Sequence, residues 1–272
     1  MKRWIIAVLL ISVAAAAGMF RGTSGKFSAN NNAVATSEVR EEIRQTYQLS
    51  PGANVEVRGI NGQVEIETAD TTTAEVYILR TAANQTDLET RKVTVTATAT
   101  SLVIQGENQR GGFWQNLWHG DVKHRVVLKV PRQIALTIKG VNGPIRAGEV
   151  TGAVQISGVN GKVETAQTDG YSEISGVNGS VTVAIRQIGE KGLRIKGING
   201  AVELRFADKL NADIEARGIN GRVKAELPDV VLQGEQERSK FNARIGTGGA
   251  PVNVSGVNGS VRLVRAASSA SE

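Results

Sequence analysis

The 272-residue chain contains no cysteine. Disulfides, cysteine nucleophiles, zinc–thiolate centres and lipoprotein anchoring through a cysteine are therefore excluded. Aromatic residues make up only 4% of the chain, so a core has to be built from Val, Ile, Leu and Ala. Proline is scarce, at 5 residues, while glycine is abundant, at 31. That mixture suits many short strands joined by tight turns. Its β-branched content sets it apart from disordered compositions. Catalytic signatures are missing too: no GxSxG, HExxH or phosphate-binding loop occurs. No enzyme activity, cofactor or metal is expected.

The formal charge of +6 is concentrated at one end. Lys2, Arg3, Arg21 and Lys26 precede Ala35, and no acidic residue does. The remaining 28 basic and 26 acidic residues nearly cancel. No basic stripe of the kind that tracks phosphates is evident, so no nucleic-acid partner is expected. Met1-Lys2-Arg3 is followed by the uncharged run Trp4–Ala17 and the small residues Ala15-Ala16-Ala17. This is a secretory signal pattern over residues 1–17. The competing reading is an uncleaved membrane anchor, because Trp4–Phe20 reaches the low end of a bilayer span. Residues 18–37 are small and polar, as in a flexible linker.

The phrase Gly-Ile/Val-Asn-Gly occurs seven times, starting at Gly59, Gly140, Gly158, Gly176, Gly197, Gly218 and Gly256. The starts are separated by 81, 18, 18, 21, 21 and 38 residues. A period near 20 marks a repeat architecture. The last gap is close to two periods, which predicts a degenerate corner near Glu235–Asn242. The residues flanking each phrase alternate with period two, as strands do. Ile138, Ile156, Ile174, Ile195, Ala216 and Val254 form one apolar column; Ile145, Val163, Val181, Val202, Val223 and Val261 form another. The positions between are polar and of mixed charge, as in Arg146/Glu164 and Glu203/Lys224, which suggests ion pairing between neighbouring repeats. Such columns lack the gathered carboxylates of a glycan-cleaving site. A single repeat has nothing to cover its apolar face, so stability must be shared by stacking.

Asn-Gly readily takes positive φ, so each phrase is a corner. Two geometries compete: a two-residue hairpin turn in an antiparallel meander, and the bend of a β-solenoid. The tightly held period favours the solenoid, with equivalent residues stacked about 4.8 Å apart. Asn61, Asn142, Asn160, Asn178, Asn199, Asn220 and Asn258 would then hydrogen-bond along the stack. The alternative, that each Asn is a metal or sugar ligand, is weakened by the uncharged turn; calcium repeats use Asp there. The expected fold class is all-β: a β-solenoid of ~18–21-residue rungs over residues 133–265, preceded by a β-rich cap unit at 38–132.

One segment, Gly111–His124, departs from the pattern. It holds two of the three Trp, one Phe and both His. Phe113, Trp114 and Trp118 suit a binding loop for sugar rings or a membrane surface, or an insertion that folds back and buries its aromatics. His119 and His124 read as ordinary surface histidines, since no third metal ligand stands nearby. Residues 266–272 form a polar tail.

The stretches "NVEVRGINGQVEIETAD" and "HRVVLKVPRQIALTIKGVNG", with the run of "GVNG" units, resemble the bacterial putative-adhesin family of β-strand-repeat proteins. That family is also described as a domain of unknown function and is related to GIN-type adhesin heads. The resemblance spans about residues 37–265. It implies an exported, β-helix-like envelope protein without catalytic residues. The expected function is a non-enzymatic binding or structural scaffold in the periplasm or at the cell surface, with an envelope protein or glycan as partner. The alternatives are a membrane-anchored stress or signalling module and a glycan-active β-helix enzyme. The oligomeric state is left open.

Overall fold

A computed structural model describes residues 38–107, 121–167, 170–233 and 240–266. The signal-like segment, the linker and the tail of residues 267–272 lie outside the described residues. The chain begins with β1 (Val39–Gln48), β2 (Ala53–Arg58), β3 (Gly62–Ala69), β4 (Thr73–Ala82), a short helix α1 (Gln85–Thr90), β5 (Val93–Thr98), β6 (Ser101–Gly106) and β7 (Lys123–Pro131). The repeats follow as β8 (Ile134–Val141), β9 (Ile145–Val150), β10 (Val154–Asn160), β11 (Val163–Gln167), β12 (Ser172–Asn178), β13 (Val181–Ile185), β14 (Leu193–Asn199) and β15 (Val202–Phe206). The last part holds β16 (Ala212–Ile219), β17 (Val223–Glu226), β18 (Val230–Leu232), β19 (Lys240–Ile245), β20 (Ala250–Asn258) and β21 (Val261–Arg265).

The protein is all-β, with two large mixed sheets and no closed barrel. Sheet A has ten strands in the order β1-β4-β7-β3-β9-β11-β13-β15-β21-β17. Sheet B has eleven, in the order β18-β19-β16-β20-β14-β12-β10-β8-β2-β6-β5. Each GxNG joins a strand of sheet B to a strand of sheet A. A hairpin would instead pair those two strands antiparallel. What pairs, in parallel, is each strand with its equivalent in a neighbouring repeat: Ile156 lies opposite Ile138 and Ile174, and Asn160 opposite Asn178.

The inner columns make one core from Leu49 to Leu263. In β10 and β11, Val154, Ile156, Val159, Val163 and Thr165 are all buried. Each apolar member contributes about 1.5–3 kcal/mol on burial. The parity of the strand breaks at the first glycine of the corner. Ile156 points in, and plain alternation would send Gly158 and Asn160 in next. Gly158 instead takes φ +63°, which rotates the chain so that Val159 turns inward and Asn160 outward. Within the corners positive φ falls on the glycines and not on the Asn: the first glycine lies at +59° to +66° in all seven phrases, and the last at +143° to +158° in five of them.

Spatial order departs from sequence order at both ends. Calling each GxNG-linked strand pair a tier, β2/β3 sits between the strands β6 and β7 on one side and the tier β8/β9 on the other, and β20/β21 sits between β14/β15 and β16/β17. The expected Glu203–Lys224 pair is therefore not formed: Arg262 stands between, at 3.4 Å from Glu203 and 3.0 Å from Glu226. The Arg146–Glu164 pair does form, at 3.0 Å. Of the degenerate corner expected near Glu235–Asn242, residues 235–239 lie outside the described residues; Lys240–Asn242 begin β19, which runs antiparallel to β16 and to β18. At the other end β7 lies parallel to β3, β4 and β1 extend sheet A antiparallel beyond it, and β5 closes sheet B against β6. The segments from β4 to β7 account for the first, 81-residue gap.

Candidate functional site

The corners place all seven Asn in one row along an edge of the two sheets. Each side-chain amide donates to the carbonyl oxygen of the next. Asn142 donates to Asn61 at 3.0 Å, Asn160 to Asn142 at 3.0 Å and Asn178 to Asn160 at 3.3 Å. Asn199 donates to Asn178 at 3.1 Å, Asn258 to Asn199 at 3.1 Å and Asn220 to Asn258 at 3.2 Å. All the bonds point one way, so their dipoles add and each strengthens the next. An amide offers two N–H donors and two lone pairs. An interior member spends one of each on the ladder and turns the others to solvent.

Both glycines of the phrase are needed for this stacking. The first supplies the left-handed turn described above. The last leaves room for the tier below: a Cβ on Gly179 would stand 2.3 Å from the Gly161 carbonyl oxygen.

The ladder ends on a distinct cap. Asn61 donates to the Asp121 carboxylate at 3.2 Å and to the Val122 carbonyl at 3.1 Å. Its backbone N–H donates to His124 Nδ1 at 3.3 Å. The imidazole proton is then on Nε2, which is buried without a hydrogen-bond partner. His124 is 7% exposed, which corrects the expectation of a surface histidine. Burial pushes its pKa down to about 4, helped by the positive charges of Arg80 and Arg91 and opposed by Asp121. Arg80, directly across the strand pair from His124, is also buried. It binds the Glu41 carboxylate, the Leu88 carbonyl and, at 2.7 Å, the Arg91 carbonyl.

The rows flanking the Asn edge hold no acidic residue. Immediately before the first glycines stand Arg58, Lys139, Ser157, Ser175, Lys196, Arg217 and Ser255. Immediately after the last glycines stand Gln63, Pro144, Lys162, Ser180, Ala201, Arg222 and Ser260. Arg58, Lys162, Lys196 and Arg217 lean onto acids one row further out: Glu56, Glu164, Glu173 and Glu215. These six cations were invisible as a stripe in the sequence because each repeat contributes at most two of them. Aligning the repeats on their glycines is the signal that finds them.

Phe113, Trp114, Trp118 and His119 lie outside the described residues. Among the described residues no three His, Asp or Glu side chains are grouped to hold a metal ion, and no helix is long and apolar enough to cross a membrane. A groove of about 280 Å³ is lined by Leu49, Pro51, Asp70 and Arg132, among others. Its cation is engaged: Arg132 lies 3.1 Å from Asp70 and 3.0 Å from Glu149.

No protein-family model and no curated protein matches the chain. Solved structures do. The chain is similar to a putative cell adhesion protein from Clostridium sporogenes, at 10% identity and TM-score 0.47, over 83% of this chain and 100% of that one. It is also similar to a putative adhesin from Parabacteroides merdae, at 13% identity and TM-score 0.28, over 83% and 97% of the two chains. A third, a putative adhesin from Bacteroides fragilis, has 10% identity and TM-score 0.30, over 82% and 97%. These neighbours are putative adhesins, the family that the sequence resembles. None lends a residue role to this chain.

Proposed function

We propose that this chain is a non-enzymatic, exported envelope protein in which a flattened β-solenoid serves as an adhesin-like binding scaffold. The face that meets its partner is the asparagine edge, and the partner is an envelope glycan. The observation that carries this reading is the unbroken ladder itself. It presents one spare donor and one spare acceptor per tier, about every 4.8 Å, between rows free of acidic side chains. A polar polymer lying along the stack meets the same pair of groups at every tier. Each such contact is worth only about 0.5–1.5 kcal/mol, but contacts to one polymer add as linked sites do.

The test is co-sedimentation of the full chain with insoluble envelope glycan. Reversing Lys139 and Arg222, which make no ion pair among the described residues, to Glu should weaken binding, while Arg40→Glu on the outer strand β1 should not. Equal binding by all three proteins removes the edge from the proposal. Replacing Trp114 and Trp118 by Ala in the same assay measures the share of the aromatic loop. Export is tested by mass spectrometry of the N-terminus in the host: an intact Met1 would favour the anchored signalling module instead.

A further inference from the structure

The C-terminal tier is out of order, and the disorder has a direction. β20 lies between β14 and β16 in sheet B, and β21 between β15 and β17 in sheet A. β16 forms no ladder with β14, and β17 none with β15. Among the described residues, the unit 212–245 is therefore joined to the stack by strand pairing only through Ala250–Arg265. Both walls of the slot that this segment fills precede it in sequence. The slot is two strand spacings wide, about 9.6 Å.

Both connectors that flank the unit 212–245 contain residues at positive φ. Residues 246–249 read Gly-Thr-Gly-Gly, with φ of +58°, +76° and +143° at Gly246, Gly248 and Gly249. The other connector, 207–211, contains Lys209 at φ +58°. Two side chains at the start of β16 clasp the glycine connector: Asn211 Oδ1 accepts from the Thr247 N–H and Asp213 Oδ2 from the Gly249 N–H, each at 3.0 Å. One latch closes the far end. Arg265 donates to the Ala207 carbonyl at 3.0 Å and to Asp229 at 2.6 Å, and lies 3.2 Å from Asp208.

We infer that Ala250–Arg265 is a releasable wedge, and that two copies of this chain exchange it, each filling the other's slot. The occupant is a second copy because the slot is complementary to this segment alone in full: Leu193, Ile195 and Ile198 face Val252, Val254 and Val257, and Asn199 meets Asn258 in the ladder. The swapped pair uses the same ladders and core contacts as the monomer and differs only in the path of the glycine connector, which is the condition for low-cost domain swapping.

The absence of native cysteine makes the test clean. Lys196 and Ser255 are paired across β14 and β20. Full-length Lys196→Cys and Ser255→Cys chains are mixed below the melting temperature and oxidised mildly. The expected product is an interchain disulfide between the two positions, identified by peptide mass spectrometry. A mixture of Lys196→Cys with Ser157→Cys, whose position pairs elsewhere, gives none. Adding Arg265→Ala removes the latch and should raise the rate on the order of tenfold. Native-state hydrogen exchange should show the amides of 212–265 opening together, ahead of β8–β13. Cross-linking absent until the whole chain unfolds would overturn the inference, as would 212–265 exchanging only in step with the entire stack.

Discussion

Replacing Gly179 by Ala measures how tightly the corners stack. The Cβ it adds would stand 2.3 Å from the Gly161 carbonyl oxygen and 2.7 Å from the Gly161 carbonyl carbon. Both contacts are backbone, so no side chain can swing away. Gly179 also has φ +153°, a region that L-residues rarely enter and that costs about 1–3 kcal/mol. Separating the two tiers to relieve the clash strains or loses the strand pairing on either side, and overpacking of this kind costs about another 1–3 kcal/mol. The sum, about 4 kcal/mol, is a large part of the roughly 5–15 kcal/mol that holds a typical domain together. It should lower the melting temperature on the order of 10 °C. Urea unfolding followed by far-ultraviolet circular dichroism reads it directly, with Ser180→Ala as the neighbouring control, expected within about 0.5 kcal/mol of the parent. A Gly179→Ala loss below about 1 kcal/mol would refute stacking at this separation.

Three further outcomes follow from the same geometry. Asn178→Asp should destabilise more than Asn178→Ala at neutral pH, because a carboxylate still accepts from Asn199 but faces the Asn160 oxygen with no proton to donate; matched urea titrations of the two variants check it. His124 makes the protein acid-sensitive. Its folded pKa of about 4 lies below the ordinary value of 6.5, so the unfolded chain binds the proton first. Stability attributable to His124 is thus full above pH 6.5, falls as pH drops toward 4 and levels off below, by about 3 kcal/mol in total. His124→Gln should flatten that part of the pH–stability curve, and an unchanged slope would show that other groups cause it. Asp121→Ala removes the acceptor at the end of the ladder and should cost about 1 kcal/mol in thermal unfolding, more than Asp70→Ala at an exposed ion pair.

The tier itself was legible in the sequence. Ile156 and Val163 declare their direction through alternation, and the Ile or Val that recurs between Gly and Asn marks an inward residue even before the parity switch at Gly158 is known. The strand character of β1 was legible for the same reason, with Val39, Ile43 and Tyr47 on one parity despite the charged residues between. The order of the tiers was not. The columns of β16/β17 and β20/β21 share one apolar alternation, so the pattern alone ranks neither for the place beside β14/β15, although Ala216 and Ala225 are smaller than their register partners Val254 and Leu263. The choice is made by the connectors and by Arg265, whose contacts reach 36 and 58 residues back along the chain. The cap was hidden for a different reason. Asp121 and His124 follow an unrepeated segment, so no column flags them, and a histidine between Lys123 and Arg125 looks exposed until β4 is seen to cover it. The cations flanking the Asn edge are spread over 165 residues, from Arg58 to Arg222, and only the stacking gathers them.

The central claim is that the GxNG phrases are bends between two sheets, with equivalent residues stacked in parallel. An engineered cysteine pair tests it in a chain that has no other thiol. Ser157 and Ser175, 18 residues apart, are register partners in β10 and β12. The double variant Ser157→Cys/Ser175→Cys should form an intrachain disulfide in the folded monomer, whereas Ser157→Cys/Lys162→Cys, which brackets a single corner, should not. Linkage of Ser157 to Lys162 in place of Ser175 would mean that the corner is a hairpin turn, and would contradict the account.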